Sequence, residues 1–247
     1  MNIEKYLKNL KEKITEINLQ KAVIGLSGGK DSNIVAKLMV DMLGKENVIG
    51  VMIPNGSQND PLAIEISQYL GINTLSIDIA DSYISLLTNI NKGLNIPEVQ
   101  GENYVSRSVS SDTKINLAPR LRMSVLYAVA QSLGNGWRVV GTTNKSEDYI
   151  GWLTKWGDGG VDFEPIINLT VRDLHTLGKH LGLPDKFVFR IPVDGLTPET
   201  DEDRFGFSYE QLDDYIEYGS CGNSEIDEKI RKMHLYSEHK RTMIPRV

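Results

Sequence analysis

A single cysteine, Cys221, is all that 247 residues offer for crosslinking. An intrachain disulfide is therefore excluded, and the composition fits a reducing, cytoplasmic setting. No apolar run approaches the ~20 residues that a membrane-spanning helix needs. The opening residues, Met1 to Leu7, are charged and amphipathic, unlike a secretory signal. Basic charge is scarce too: 27 Lys and Arg stand against 33 Asp and Glu, a net charge of −6. That argues against indiscriminate binding of nucleic acid, but not against a local basic pocket for one small anion. The four histidines lack metal-ligand spacing; His175 and His180 miss the i, i+4 pairing of a helix face. No repeat, low-complexity tract or linker breaks the chain, so one domain over residues 1–247 is expected.

What remains is ordinary globular material, 40% hydrophobic and 24% charged. Ile3, Tyr6, Leu7, Leu10 and Ile14 fall at helical spacing in an opening helix over 2–18. Strands are predicted at 21–26, 47–53, 73–79 and 137–141, with a fifth at 186–191. Helices are predicted from Pro61 to Gly71, Asp81 to Ile90, Leu117 to Leu133 and Thr170 to Leu181, then at 208–218 and 224–237. The polar stretches 95–116 and 193–207 read as loops. Alternating strands and helices imply an α/β fold: a doubly wound, Rossmann-like parallel sheet of about five strands with helices on both faces.

Ser27-Gly28-Gly29-Lys30-Asp31-Ser32 lies between the first strand and the helix-like run that follows it. Adjacent glycines and small hydroxyl residues let backbone N–H groups converge, and the following helix adds its unpaired donors and positive dipole end. Such a nest suits a pyrophosphate. Asp31 inside it repels phosphate unless a divalent cation sits between them. The segment is not a Walker A loop, because Lys30 is followed by Asp31 rather than Ser or Thr.

Open parallel sheets bind ligands at the carboxyl ends of their strands. That rule brings the fourth-strand loop, Gly141 to Glu147, to the edge that holds Asp31. Taken alone, Glu147 reads as an exposed helix-starting acid; beside Asp31 it reads as the second carboxylate of a magnesium site. Thr154 to Pro165 makes an acid-lined glycine turn flanked by Lys155, without the spacing of a calcium loop. Trp152 and Trp156, four apart, read as a packing pair that a base could also stack on.

The Ser27–Ser32 segment matches the S-G-G-x-D-S signature of the ATP pyrophosphatases. Its flanks extend the likeness: A-P-R-L-R-M around Arg122, G-T-T-N-K-S-E, T-K-W-G-D-G-G-V-D, D-E-D-R-F-G-F-S-Y and the near-terminal S-E-H-K-R. In that order, over nearly the whole chain, they resemble the ammonia-dependent NAD synthetases. The resemblance implies an adenine nucleotide alpha hydrolase-like fold and the ATP-dependent amidation of deamido-NAD through an acyl-adenylate. It implies that Gly25, Leu26, Ser27, Gly28, Gly29, Lys30, Asp31, Ser32 and Thr142 hold ATP, and that Asp31 and Glu147 bind Mg²⁺. It assigns Arg122, Lys155, Asp162, His239 and Lys240 to deamido-NAD, and Asp158 to guiding or deprotonating ammonium. Asp31, Glu147, Lys155 and Asp158 are thus the expected catalytic set. Val171 and Val193 fall where many relatives place a lysine and a hydroxyl residue in contact with ATP. A homodimer sharing the dinucleotide site is also implied.

An acyl-adenylate must be kept from water, so the loops near 95–116 and 194–207 are expected to order over the site. About twenty residues precede the first strand, which predicts free ammonia, or ammonia passed from a separate protein, rather than a fused glutaminase as the nitrogen source. Cys221 in Gly219-Ser220-Cys221-Gly222-Asn223 has nothing local to make it a nucleophile. Competing readings are a tRNA-modifying ATP pyrophosphatase and a non-catalytic nucleotide-binding relative.

Overall fold

The structure, a computed structural model, describes residues 2–95, 108–189, 200–242 and 244. The chain runs α1 (Ile3–Glu16), β1 (Lys21–Gly25), α2 (Lys30–Leu43), β2 (Val48–Met52), α3 (Pro61–Leu70), β3 (Asn73–Ser76) and α4 (Ala80–Gly93). Then follow α5 (Ser111–Ser132), β4 (Trp137–Val140), α6 (Lys145–Ile150), α7 (Val171–His180) and α8 (Asp185–Val188). The chain closes with α9 (Asp201–Phe205), α10 (Tyr209–Tyr218), α11 (Ser224–Tyr236) and α12 (Glu238–Arg241).

All strand pairs are parallel, in the order β3-β2-β1-β4. Strands buried on both faces need apolar side chains at successive positions. β1 supplies them: Ala22 and Ile24 join α1, α2, α3 and α7 in one core, while Val23 turns to α5 in another. Val48 and Val140 join the first core, Val51 and Val139 the second. A third cluster, away from the sheet, gathers Ile150, Val171, Phe205, Tyr209, Leu212 and Ile230. It ties α6 and α7 to the terminal helices. Strand order reverses at β1, so the crevice between the carboxyl ends of β1 and β4 is the topological switch point.

The α/β class and parallel sheet agree with the sequence reading; three local expectations do not. Asp185–Val188 is a helical turn after Pro184, not strand. Its Phe187 and Val188 are buried against α2 and α7, where apolar side chains suffice without strand pairing. The outer edge of β4 is met instead at one point, a parallel bridge between Val140 and Phe163. Ser111 to Asn116, read as loop, begins α5: Ser110 caps it by accepting from Thr113 N. Asp201 to Phe205, also read as loop, is α9, started by a capping box between Thr200 and Asp203. The central parts of both expected lids, 96–107 and 190–199, lie outside the described residues.

Candidate active site

β1 ends at Gly25, and the chain turns into α2 through the glycine segment. Leu26 donates its N–H to Val51 O at 2.9 Å and is 3% exposed, so it serves as wall rather than donor. Gly28 takes φ +77°, a left-handed conformation that glycine adopts without steric cost. Gly29 N donates to Ser27 Oγ at 3.2 Å, and Ser32 Oγ donates to Gly29 O at 3.0 Å. Behind the turn, buried Asn33 donates through Nδ2 to Gly28 O and Phe187 O, both at 3.2 Å. That support was invisible in sequence because Phe187 lies far along the chain.

The two predicted carboxylates converge on this nest. Glu147 is the third residue of α6 and closes a capping box: its N–H donates to Asn144 Oδ1 at 3.0 Å, and Asn144 N donates to Glu147 Oε2 at 3.4 Å. Asn144 Nδ2 also donates to Asp31 Oδ1 at 3.4 Å, so one amide links both acids. Burial, and then the Asp31 carboxylate, push the Glu147 carboxyl well above its usual range. Glu147 does start a helix, but it is half-buried rather than exposed, because it turns inward to face Asp31.

Lys30, 3% exposed, reaches Asp31 Oδ2 at 3.0 Å, with its ammonium 5.2 Å from the centre of the Tyr209 ring. Burial works against its charge, but Asp31, Glu147 and Asp201 together outweigh that and hold it protonated. Tyr209 in turn donates its hydroxyl to Asp201 Oδ2 at 3.2 Å. Among the described residues no group of three or more His, Cys, Asp or Glu is placed to hold a metal alone. Two hard oxygen donors at the mouth of an N–H nest suit Mg²⁺, which takes one or two carboxylates and completes its shell with phosphate oxygens and water.

The residues assigned to the second substrate fall into a separate patch. Lys155 donates to the backbone oxygen of His239, and the His239 side chain is exposed. Lys240 Nζ donates to Gly151 O at 2.7 Å and Leu153 O at 2.6 Å. Arg122 Nε donates to Ile53 O at 3.1 Å. Asp158, exposed, accepts from Thr154 N at 2.9 Å, and its charge favours the protonated forms of Arg122 and Lys240 against their burial. Asp162 stands apart from this patch, bonded to Tyr127 OH at 3.0 Å and Val139 N at 2.9 Å.

Thr142 is half-buried in the loop after β4. Val171, 6% exposed, belongs to the third apolar cluster. It also lines a cavity of about 570 Å³ with Lys30, His175, Phe189, Asp201 and Tyr209. Val193 lies outside the described residues. The tryptophans part company: Trp152 meets Phe205 edge to face, whereas Trp156 is 52% exposed.

A parallel sheet carrying a glycine nest and paired carboxylates at its switch point defines a nucleotide-binding α/β protein. Residues 2–246 match the NAD synthase family model, and the chain belongs to that family. It is 37% identical over 243 residues to an NH(3)-dependent NAD(+) synthetase of Finegoldia magna, covering 96% of this chain and 92% of that one. An enzyme of the same description from Methanococcus aeolicus is 39% identical over 205 residues, covering 81% and 75%. Among solved structures, an NMN synthetase from Francisella tularensis superposes with a TM-score of 0.83 at 31% identity, covering 99% and 96%. The NH3-dependent NAD synthetase of Campylobacter jejuni gives 0.72 at 28% identity, with the same coverage.

Proposed function

We propose that residues 1–247 form one domain that activates the nicotinate carboxyl of deamido-NAD with ATP and amidates it with ammonia, giving NAD, AMP and pyrophosphate. The observation that carries this reading is the meeting of Asp31 and Glu147 beside the glycine nest, joined by Asn144. In the first half-reaction a carboxylate oxygen bonds to the α-phosphorus, and the link to the β-phosphate breaks. Both reactants are anions, so their repulsion must be offset before they meet. The Lys30 ammonium and the N–H nest from Ser27 to Ser32 would supply the chain's own share, and Thr142 is a further proposed ATP contact. Asp31 and Glu147 would hold Mg²⁺, which when bound neutralises phosphate charge and eases pyrophosphate departure.

In the second half-reaction nitrogen bonds to the acyl carbon, AMP leaves with the bonding pair, and nitrogen loses a proton. Asp158 is the group to guide ammonium and to take the earlier proton, which nitrogen must lose to become ammonia before its lone pair can attack. Arg122, Lys155, Asp162, His239 and Lys240 are the proposed dinucleotide contacts. A homodimer is supported by apolar side chains left uncovered: Ile115 and Leu133 on or next to α5, and Leu235 and Tyr236 at the end of α11.

One observation favours a second reading, in which nicotinic acid mononucleotide is the acid amidated: the closer superposition on the Francisella NMN synthetase than on the Campylobacter NAD synthetase. Incubation with ATP, Mg²⁺, ammonium and each acid in parallel separates the two. NAD formed with one AMP per turnover supports the first reading, and preferential NMN supports the second. Tight ATP binding without AMP release from either mixture overturns both.

A further inference from the structure

The helix that carries Glu147 is too short to hold itself. α6 has six residues, Lys145–Ile150, under two turns, and isolated helices of that length do not persist in water. Its start is anchored by Lys145 N donating to Leu169 O at 2.8 Å and by Ser146 Oγ, which donates to Asp213 Oδ1 at 2.5 Å. Its end carries carbonyls without intrahelical donors. Gly151 satisfies part of that need by donating to Asp148 O at 3.0 Å, and Trp152 N donates to Glu147 O at 2.8 Å. His234 Nδ1 lies 2.8 Å from Tyr149 O, and Lys240 Nζ donates to the O of the capping Gly151 at 2.7 Å. One guanidinium makes the largest share of the remaining bonds.

Arg241 Nη1 donates to Asp148 O at 2.8 Å, Tyr149 O at 3.1 Å and Ser237 Oγ at 2.9 Å. Its Nη2 donates to His234 O and, at 3.1 Å, to Glu238 Oε2. A single planar fork therefore ties the last turn of α6 to α11 and α12, and only arginine carries that many donors in fixed geometry. Its positive charge also lies at the negative end of the α6 dipole. The elements approach so closely that a Cβ on Gly151 would stand 2.1 Å from Ser237 Cβ. The side chain is 14% exposed, so water competes little for these bonds.

We propose that Arg241 is a positioning residue: by clamping the carboxyl end of α6 it holds Glu147 against Asp31 in spite of their mutual repulsion. The role rests on the reading of Glu147 as an active-site carboxylate. His239 and Lys240 were given substrate contacts by resemblance, whereas Arg241 acts on the protein's own backbone. The clamp predicts that kcat depends on Arg241 more than substrate affinity does, because its guanidinium bonds go to the protein's own groups.

The test compares Arg241→Ala, Arg241→Lys and a surface control, Arg231→Ala, in the full chain. Amide hydrogen exchange of the ligand-free protein reads the clamp without reference to catalysis. Arg241→Ala is expected to speed exchange over residues 145–152 by about tenfold or more while the β1 and β2 amides stay protected. Turnover is expected to fall about tenfold or more at nearly constant KM, with partial recovery in added guanidinium but not added ammonium. Arg241→Lys should lie between, and Arg231→Ala should match the parent. Unchanged exchange in 145–152 overturns the clamp even if the parent enzyme makes neither NAD nor NMN. A rise in KM alone, with exchange unchanged, makes Arg241 a substrate contact and likewise overturns it. If Arg241→Ala loses protection throughout the sheet, Arg241→Lys decides by the same local exchange.

Discussion

Replacing Glu164 with glutamine should remove a pH dependence of stability that the fold builds in. Glu164 lies at the carboxyl end of the sheet, over Gly141; a Cβ on Gly141 would stand 2.3 Å from its carboxyl carbon. Its Oε2 accepts from Thr143 N at 3.3 Å, while buried Oε1 has no protein partner. Burial pushes the carboxyl up to about 8, against the pull of the Thr143 hydrogen bonds, with Asp148 and Asp158 adding repulsion. From pH 4.5 to about 8 the folded chain therefore keeps a proton that the unfolded chain has released. Stability falls as pH rises through that window and levels off above it. The slope is about 1.4 kcal/mol per pH unit, and the whole window amounts to about 5 kcal/mol, a large part of the roughly 5–15 kcal/mol that holds an ordinary domain. Urea unfolding of the parent and Glu164→Gln at half-unit steps from pH 5 to 9 measures it, since titrating groups not coupled to Glu164 cancel in the difference. The stability of the parent minus that of the variant should decline up to about pH 8 and then flatten. Parallel curves across the range would refute the argument.

Glu147→Gln keeps the capping box, because glutamine serves at that position, but loses a charge that Asp31 opposes. Amidation should fall about 10²–10³-fold in a product assay, while the thermal midpoint holds or rises. Gly141→Ala should cost about 1–3 kcal/mol in urea unfolding by driving a methyl group into the Glu164 carboxyl, and most of that cost should vanish in a Glu164→Ala background. Cys221→Ser should leave turnover intact, since partial burial and neighbouring Asp227 push the thiol's pKa up and away from reactivity.

The nest was legible because its chemistry is local. Gly28, Gly29 and the hydroxyls of Ser27 and Ser32 act within six consecutive residues, and their turn follows from backbone freedom and short hydrogen bonds. Asp31 and Glu147 were legible as a pair only through the rule for parallel sheets, which joined the ends of β1 and β4 before any contact was known. Asn144 had a visible signal, an asparagine three residues before Glu147, the pattern of a helix start. The same pattern at Thr200 and Asp203 marked α9, yet the surrounding acids and glycines favoured loop. The supposed fifth strand failed for the opposite reason. Phe187 and Val188 are apolar because they are buried, and burial does not distinguish a strand from a helical turn.

Residue order alone was thus enough for the parallel α/β class, the glycine turn after β1 and the two acids beside it. Those features depend on periodicity, on glycine's backbone range and on a connection rule that allows few alternatives. Only the folded chain set Glu164 over Gly141, Lys30 beneath three carboxylates and Arg241 at the end of α6. Each of these joins residues remote in sequence, and its energy comes from exclusion of water and the nearness of charges, quantities that exist only once the chain has closed around them.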